Sequence, residues 1–174
     1  MHITPIMEKF VLHWGEMGSR WGVNRSVAQI HALLYLSARP LPAEEIADAL
    51  SIARSNVSNS LKELQAYQLI DVVHLLGDRR DHFKAETDPW NIMLRIAEER
   101  KRREIDPALT MLRDCVKEAD GNAGTDPVVR ERLATMLEFL DGLTGWYDQV
   151  KRLPRAALTG IMKLGGKITA LIRH

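Results

Sequence analysis

This chain has little with which to staple itself or to hold a metal. Its 174 residues include a single cysteine, Cys115, so no intrachain disulfide framework and no Cys-x-x-Cys zinc site can form. The six histidines, His2, His13, His31, His74, His82 and His174, are scattered without a pair at helical ligand spacing. A glycine-rich phosphate loop and a nucleophile elbow are also missing. These absences point away from enzymes, and neither a metal site nor a cofactor is expected. No stretch approaches the roughly 18 consecutive apolar residues of a membrane-spanning helix, and no secretory signal is read at the start. A reducing cytoplasm is the expected location.

What is present is an apolar fraction of 45%, enough for a real core, and an uneven charge. A net charge of only +1 argues against indiscriminate nucleic-acid binding by the whole surface. All 23 acidic residues lie at or before Asp148, so residues 1–148 sum to −5 while residues 149–174 carry six Lys/Arg and no acid. Any footprint on a polyanion must therefore be local.

The stretch from Leu41 to Ala85 has the layout of a helix-turn-helix followed by a basic β-hairpin. A helix over Pro42 to Leu50 places Ile46, Ala47 and Leu50 on one face and keeps Glu44, Glu45 and Asp48 in water. After a turn at Ser51 to Ala53, a second helix from Arg54 to about Tyr67 directs Val57, Leu61 and Leu64 inward. Its opposite face carries Ser55, Asn56, Asn59, Lys62 and Glu63, side chains suited to base edges and phosphates. Strands from Ile70 to Leu76 and from Asp81 to Ala85 flank Gly77-Asp78, so the tip presents Arg79 and Arg80. Asp78 is placed to pair with Arg80, and an arginine at a narrow tip suits a minor groove. The candidate DNA-binding set is Arg54, Ser55, Asn56, Ser58, Asn59, Lys62, Arg79, Arg80 and Lys84. His74 and His82, brought near each other across the hairpin, read as an exposed and incidental pair.

Before this unit, a helix from Pro5 to about Trp21 carries Phe10, Trp14, Met17 and Trp21 on one face, and Asn24 caps a scaffold helix over Arg25 to Ser37. Gly18, between the tryptophans, suggests a slot for a flat or quaternary ammonium ligand; burial of these aromatics in a core or dimer interface is the competing reading. After the hairpin, Asp88-Pro89 is a cap-and-proline helix start, and Asp106-Pro107 either starts another helix or kinks the first. Cys115, beside an apolar stripe, reads as a small hydrophobe. Asp126-Pro127 opens the longest helix, in which Val129, Leu133, Met136, Leu140, Leu143, Tyr147 and Val150 recur at alternating spacings of four and three. That seam needs a partner: the preceding helix, a second copy, or both. Gly142 and Gly145 suggest close packing or a pocket beside Trp146 and Tyr147, with simple tolerance equally open. The basic amphipathic tail, residues 155–174, reads as a dimer clasp or, less favoured, as a binder of anionic lipid.

Three stretches, Pro42-Ala43-Glu44-Glu45-Ile46-Ala47-Asp48-Ala49-Leu50, Arg54-Ser55-Asn56-Val57-Ser58 with Leu61-Lys62-Glu63-Leu64, and Gly77-Asp78-Arg79-Arg80-Asp81, resemble the GbsR branch of the MarR-type regulators. The resemblance spans roughly residues 20 to 90. It implies a homodimeric winged-helix transcription factor, often a repressor, associated in that branch with choline and glycine betaine genes. Two turn positions depart from the pattern: Ser51 stands where glycine is usual, and Ala53 where a capping serine is usual. Some relatives sense oxidants through a thiol, a role Cys115 would have to fill. The expected fold is mainly α, a winged helix-turn-helix domain with a small β-hairpin wing plus a long α-helical dimerisation region. The expected divisions are 1–23 (amino-terminal scaffold helix), 24–87 (winged helix), 88–154 (linker and dimerisation helices) and 155–174 (basic tail). Expected partners are an inverted-repeat duplex DNA, a second copy of the chain, and a small-molecule effector for which Trp14, Trp21, Trp146 and Tyr147 are candidates. An interaction module built on a degenerate winged helix is the alternative.

Overall fold

The computed structural model describes residues 3–160 and Leu164, and divides into two units, Met1–Glu99 and Arg100–His174. The first unit is built from α1 (Pro5–Arg20), α2 (Arg25–Leu36), β1 (Leu41–Pro42), α3 (Ala43–Leu50), α4 (Arg54–Ala66), β2 (Ile70–Val73), β3 (His82–Ala85) and α5 (Pro89–Arg100). Local chemistry sets most of these ends. Thr4 caps α1 from its side chain, Asn24 Oδ1 accepts the Ser26 N–H at 2.9 Å at the start of α2, and Asp88 Oδ1 accepts the Trp90 N–H at 2.9 Å at the start of α5.

α2 is the central element. Val27, Ile30, Leu33 and Leu34 are buried on it and cluster with Ile46 of α3, with Val57, Leu61 and Leu64 of α4, and with Ile70, Phe83 and Ala85 of the sheet. α1 crosses α2 closely because two glycines allow it. A Cβ on Gly18 would lie 2.6 Å from Ala28 Cβ, and one on Gly15 would lie 2.6 Å from Gln29 Cγ. The slot expected between the tryptophans is thus absent: Ala28 occupies the space that Gly18 leaves, and Trp14 stacks on Phe10 with centroids 5.3 Å apart. α5 belongs with this core, to which it contributes Ile92 and Ile96.

The sheet has three strands in the order β1-β3-β2, all antiparallel. β1 was not expected. Pro42 reads as the first residue of a helix and Leu41 as the residue before it, yet Leu41 pairs with Phe83 and Pro42 with His82, and α3 starts at Ala43. An edge strand is where proline is tolerated. The two wing strands are also shorter than the sequence suggests, because residues 74–81 form the connection. Gly77 adopts φ +85°, the Asp78 N–H bonds the Leu75 carbonyl at 3.1 Å, and Leu75 and Leu76 are exposed.

In the second unit a π-helical turn over Lys101–Ile105 precedes α6 (Asp106–Gly121), and α7 (Pro127–Val150) follows. Pro107 explains the turn. It has no N–H to give, and its ring crowds the carbonyl four residues earlier, so the backbone widens: the Asp106 N–H reaches the Lys101 carbonyl five residues back. α6 and α7 pack as a pair, with Leu109, Leu112 and Ala119 buried on α6 and an Arg113–Asp141 ion pair at 2.6 Å between them. The α7 seam is split rather than uniform. Leu133, Leu140, Tyr147 and Val150 are half-buried, whereas Val129, Met136 and Leu143 are exposed beside Phe139 and Trp146. Gly142 and Gly145 face open space, so no close packing within the described residues accounts for them. Most of the basic tail lies outside the described residues.

Candidate nucleic-acid interface

α3 and α4 meet through a tight turn that the sequence makes in an unusual way. Ser51 takes the left-handed conformation, φ 53° and ψ 43°, where a glycine would be unstrained, and Ala53 at the start of α4 makes no side-chain cap. The turn closes through the Ser51 and Ile52 N–H groups on the carbonyls of Asp48 and Ala47. α4 then offers one dry and one wet face: Val57, Ser60, Leu61 and Leu64 are buried, while Arg54, Ser55, Ser58, Asn59 and Lys62 are exposed. Asn59 and Lys62 make no side-chain hydrogen bond or ion pair among the described residues.

Asn56 is the departure from the expected wet face. Its Nδ2 donates to Ser26 Oγ at 2.9 Å and its Oδ1 accepts from Ser60 Oγ at 3.4 Å, so this amide fastens α4 to α2. The reason is angular: Asn56 precedes buried Val57 and lies one turn from buried Ser60, at the edge of the inward stripe. The sequence pattern alone could not say which edge faced α2.

At the wing, the expected Asp78–Arg80 pair is present. Arg80 donates from its backbone N–H and Nε to Asp78 Oδ1, each at 3.0 Å, and from Nη2 to Asp78 Oδ2 at 2.5 Å. These bonds hold the Asp78 carboxyl well below the usual carboxylate range and raise the Arg80 guanidinium. Arg79 is exposed and unpaired among the described residues. Lys84 is exposed too and stands across the strand pair from Asp71.

The two hairpin histidines do not form an exposed pair. His82 is buried, opposite Val73, with Nδ1 donating to the Arg80 carbonyl at 3.0 Å and Nε2 3.5 Å from Asp78 Oδ2. His74 stays in solvent, 3.6 Å from Asp81. The third strand covers one side of β3, where Pro42 stands opposite His82, and no local pattern in the sequence announces β1.

Three carboxylates that sequence reasoning passed over also organise this surface. Glu44 holds Arg54, and Glu45 holds Arg39 at 2.5 Å, which lowers the Glu45 carboxyl. Glu86 accepts the N–H groups of Thr87 and Asp88, each at 2.9 Å, and is lowered by the Asp88 bond first. It thereby fixes the exit from the wing into α5, where Arg95 lies 3.4 Å away. The signal for Glu44 and Glu45 was only their place on a wet helix face, which solvated acids share. Among the described residues no group of three His, Cys, Asp or Glu could hold a metal, and no helix is long and apolar enough to cross a membrane.

A helix-turn-helix, α3 and α4, followed by a β2–β3 hairpin that joins β1 in a three-stranded sheet, defines a winged helix-turn-helix protein. Residues 21–81 match the model of the MarR family. The fold is shared with a crystal structure of a transcriptional regulator, at 23% identity and TM-score 0.53, covering 83% of this chain and 99% of that one. Transcriptional regulator Tm0710 of Thermotoga maritima aligns at 16% identity and TM-score 0.40, over 86% and 94% of the two chains. The Staphylococcus aureus MepR–DNA complex aligns at 20% identity and TM-score 0.38, over 67% and 94%. No curated protein matches the chain.

Proposed function

We propose that the protein is a MarR-type transcriptional regulator that binds duplex DNA. The observation that carries this reading is the exposed α4 face of Ser55, Ser58, Asn59 and Lys62 beside a wing tipped by Arg79 and Arg80. In helix-turn-helix proteins the second helix enters the major groove, and a basic tip suits the adjacent minor groove. Arg54, Arg80 and Lys84 complete the footprint. Asn56 serves it indirectly, by fixing how α4 sits on α2.

The same reading includes a homodimer on an inverted repeat, repression by occlusion of a promoter, and a small effector that alters the spacing of the two readers. The exposed stripe of Val129, Met136, Phe139, Leu143 and Trp146 supports a second copy as partner. An effector acts here only through different affinities for the two spacings. The GbsR-like motifs favour an osmoprotectant, and Trp14, Trp21, Trp146 and Tyr147 supply fluorescence to detect it. Titration with choline or betaine is expected to give a saturable change; a flat response to both removes that effector class.

Selection of genomic fragments on the purified protein, followed by anisotropy against scrambled duplex at several salt concentrations, tests the main reading. Enrichment of an inverted repeat is expected. Asn59→Ala should lose discrimination between the repeat and scrambled DNA by about tenfold, while Arg80→Ala should weaken both and flatten the salt dependence. Binding without preference, or none, would leave the fold serving a protein partner instead.

A further inference from the structure

We propose that Arg54 reads a guanine in the major groove and that Glu44 is the residue that positions it. The inference rests on the DNA-binding reading and adds which base is read, by which side chain, and what holds that side chain in place.

Arg54 is the first residue of α4, and its side chain is 68% exposed. Its Nη2 donates to Glu44 Oε1 in the first turn of α3, the only side-chain bond Arg54 makes among the described residues. A guanidinium has five N–H groups in a fixed fork. One Nη2 N–H is committed to Glu44, and the second Nη2 N–H stays free beside that of Nη1 or Nε, a fork able to donate bidentately to the O6 and N7 of guanine. Arg80 differs in place: it lies in the wing connection rather than on α4, with Asp78 on its Nε and Nη2. Lys62 differs as well, since an ammonium is a point charge without a fork.

Helix stability does not explain the arginine. The amino terminus of a helix carries the positive end of its dipole, so a cation there is unfavourable, and Ala53 brings no capping oxygen to offset it. An exposed ion pair contributes little to folding. What the Glu44 contact does is hold a long, flexible side chain in one orientation at the end of the helix that meets base edges. It also selects the target. The pair is close to neutral, and the Glu44 charge repels a phosphate, whereas the guanine edge offers acceptors without a full negative charge.

The test uses full-length protein, the selected operator and all its single base-pair substitutions, read by anisotropy at several salt concentrations. Wild type is expected to lose about tenfold or more in affinity at one G·C pair per half-site. Arg54→Ala should erase the preference at that pair and spare the others. Arg54→Lys, which keeps the charge without the fork, should erase it too while holding the salt slope. Glu44→Gln should narrow the same preference severalfold and raise affinity for scrambled DNA. If Arg54→Ala weakens operator and scrambled duplex equally and flattens the salt slope by about one, Arg54 is a phosphate contact and the inference falls. If Glu44→Gln leaves the guanine preference intact, the positioning role falls. Absence of any sequence preference in wild type would instead remove the DNA-binding reading itself, and this inference with it.

Discussion

His31 sits on the most buried stretch of α2, with Nε2 lacking a partner among the described residues. Burial lowers its pKa from 6.5 to about 4, because an imidazolium there would lose its hydration. The unfolded chain therefore binds a proton more readily than the native one between those values, and stability falls as the pH drops through that window. Between pH 7 and pH 5 the loss is expected to be about 2 kcal/mol. Urea midpoints at the two values check it, and His31→Leu should remove most of the difference. An unchanged pH dependence in that variant would mean that another group governs it. Glycines give a second contrast at this scale. Gly18→Ala should destabilise by about 1 kcal/mol net, since forcing Ala28 aside costs more than the helix propensity gained. Gly142→Ala, facing open space, should stabilise by about 1 kcal/mol. Equal thermal shifts of the same sign would contradict the close α1–α2 crossing.

At the scale of elements, α4 begins without a cap while presenting its face to the surface. Ala53→Ser restores an oxygen for the open N–H groups of its first turn and is expected to stabilise the fold by about 1 kcal/mol. Chemical denaturation of the two proteins measures this; no gain would show that the left-handed Ser51 turn places residue 53 out of capping reach. α4 was legible because Val57, Leu61 and Leu64 recur at helical spacing, and burial follows spacing. The inward turn of Asn56 was not legible, because it depends on which edge of α4 meets Ser26 of α2. The wing shows the same limit. Gly77-Asp78 announced a turn, and Asp78 and Arg80 announced their pair, but β1 pairs with residues 40 and 42 positions away in sequence and needed the folded sheet to appear.

At the scale of the whole molecule, the exposed residues of α7 set the expected assembly. Val129, Met136, Phe139, Leu143 and Trp146 lie along one flank of the helix, each about half exposed or more, and a second copy is the partner proposed for them. A single charge in the stripe, Met136→Glu, is expected to halve the mass seen by light scattering. The two readers would then be unlinked, and affinity for an inverted repeat should drop toward that for a half-site. A wild-type chain that is already monomeric at micromolar concentration would overturn the dimer reading. Cys115 plays no visible part in this: it is half-buried, with Sγ 3.6 Å from Met111 Sδ.

Local rules carried the sequence a long way. Helical spacing placed the apolar stripes, Asp-Pro pairs marked helix starts, and Gly77 with Asp78 placed the wing turn, since each depends on neighbours within a few residues. The tertiary structure decided the rest: β1 at the edge of the sheet, the burial of His82 and His31, Ala28 filling the space beside Gly18, and Glu44 reaching Arg54. All of these join residues distant in sequence, and a contact of that kind exists only once two surfaces have been brought together.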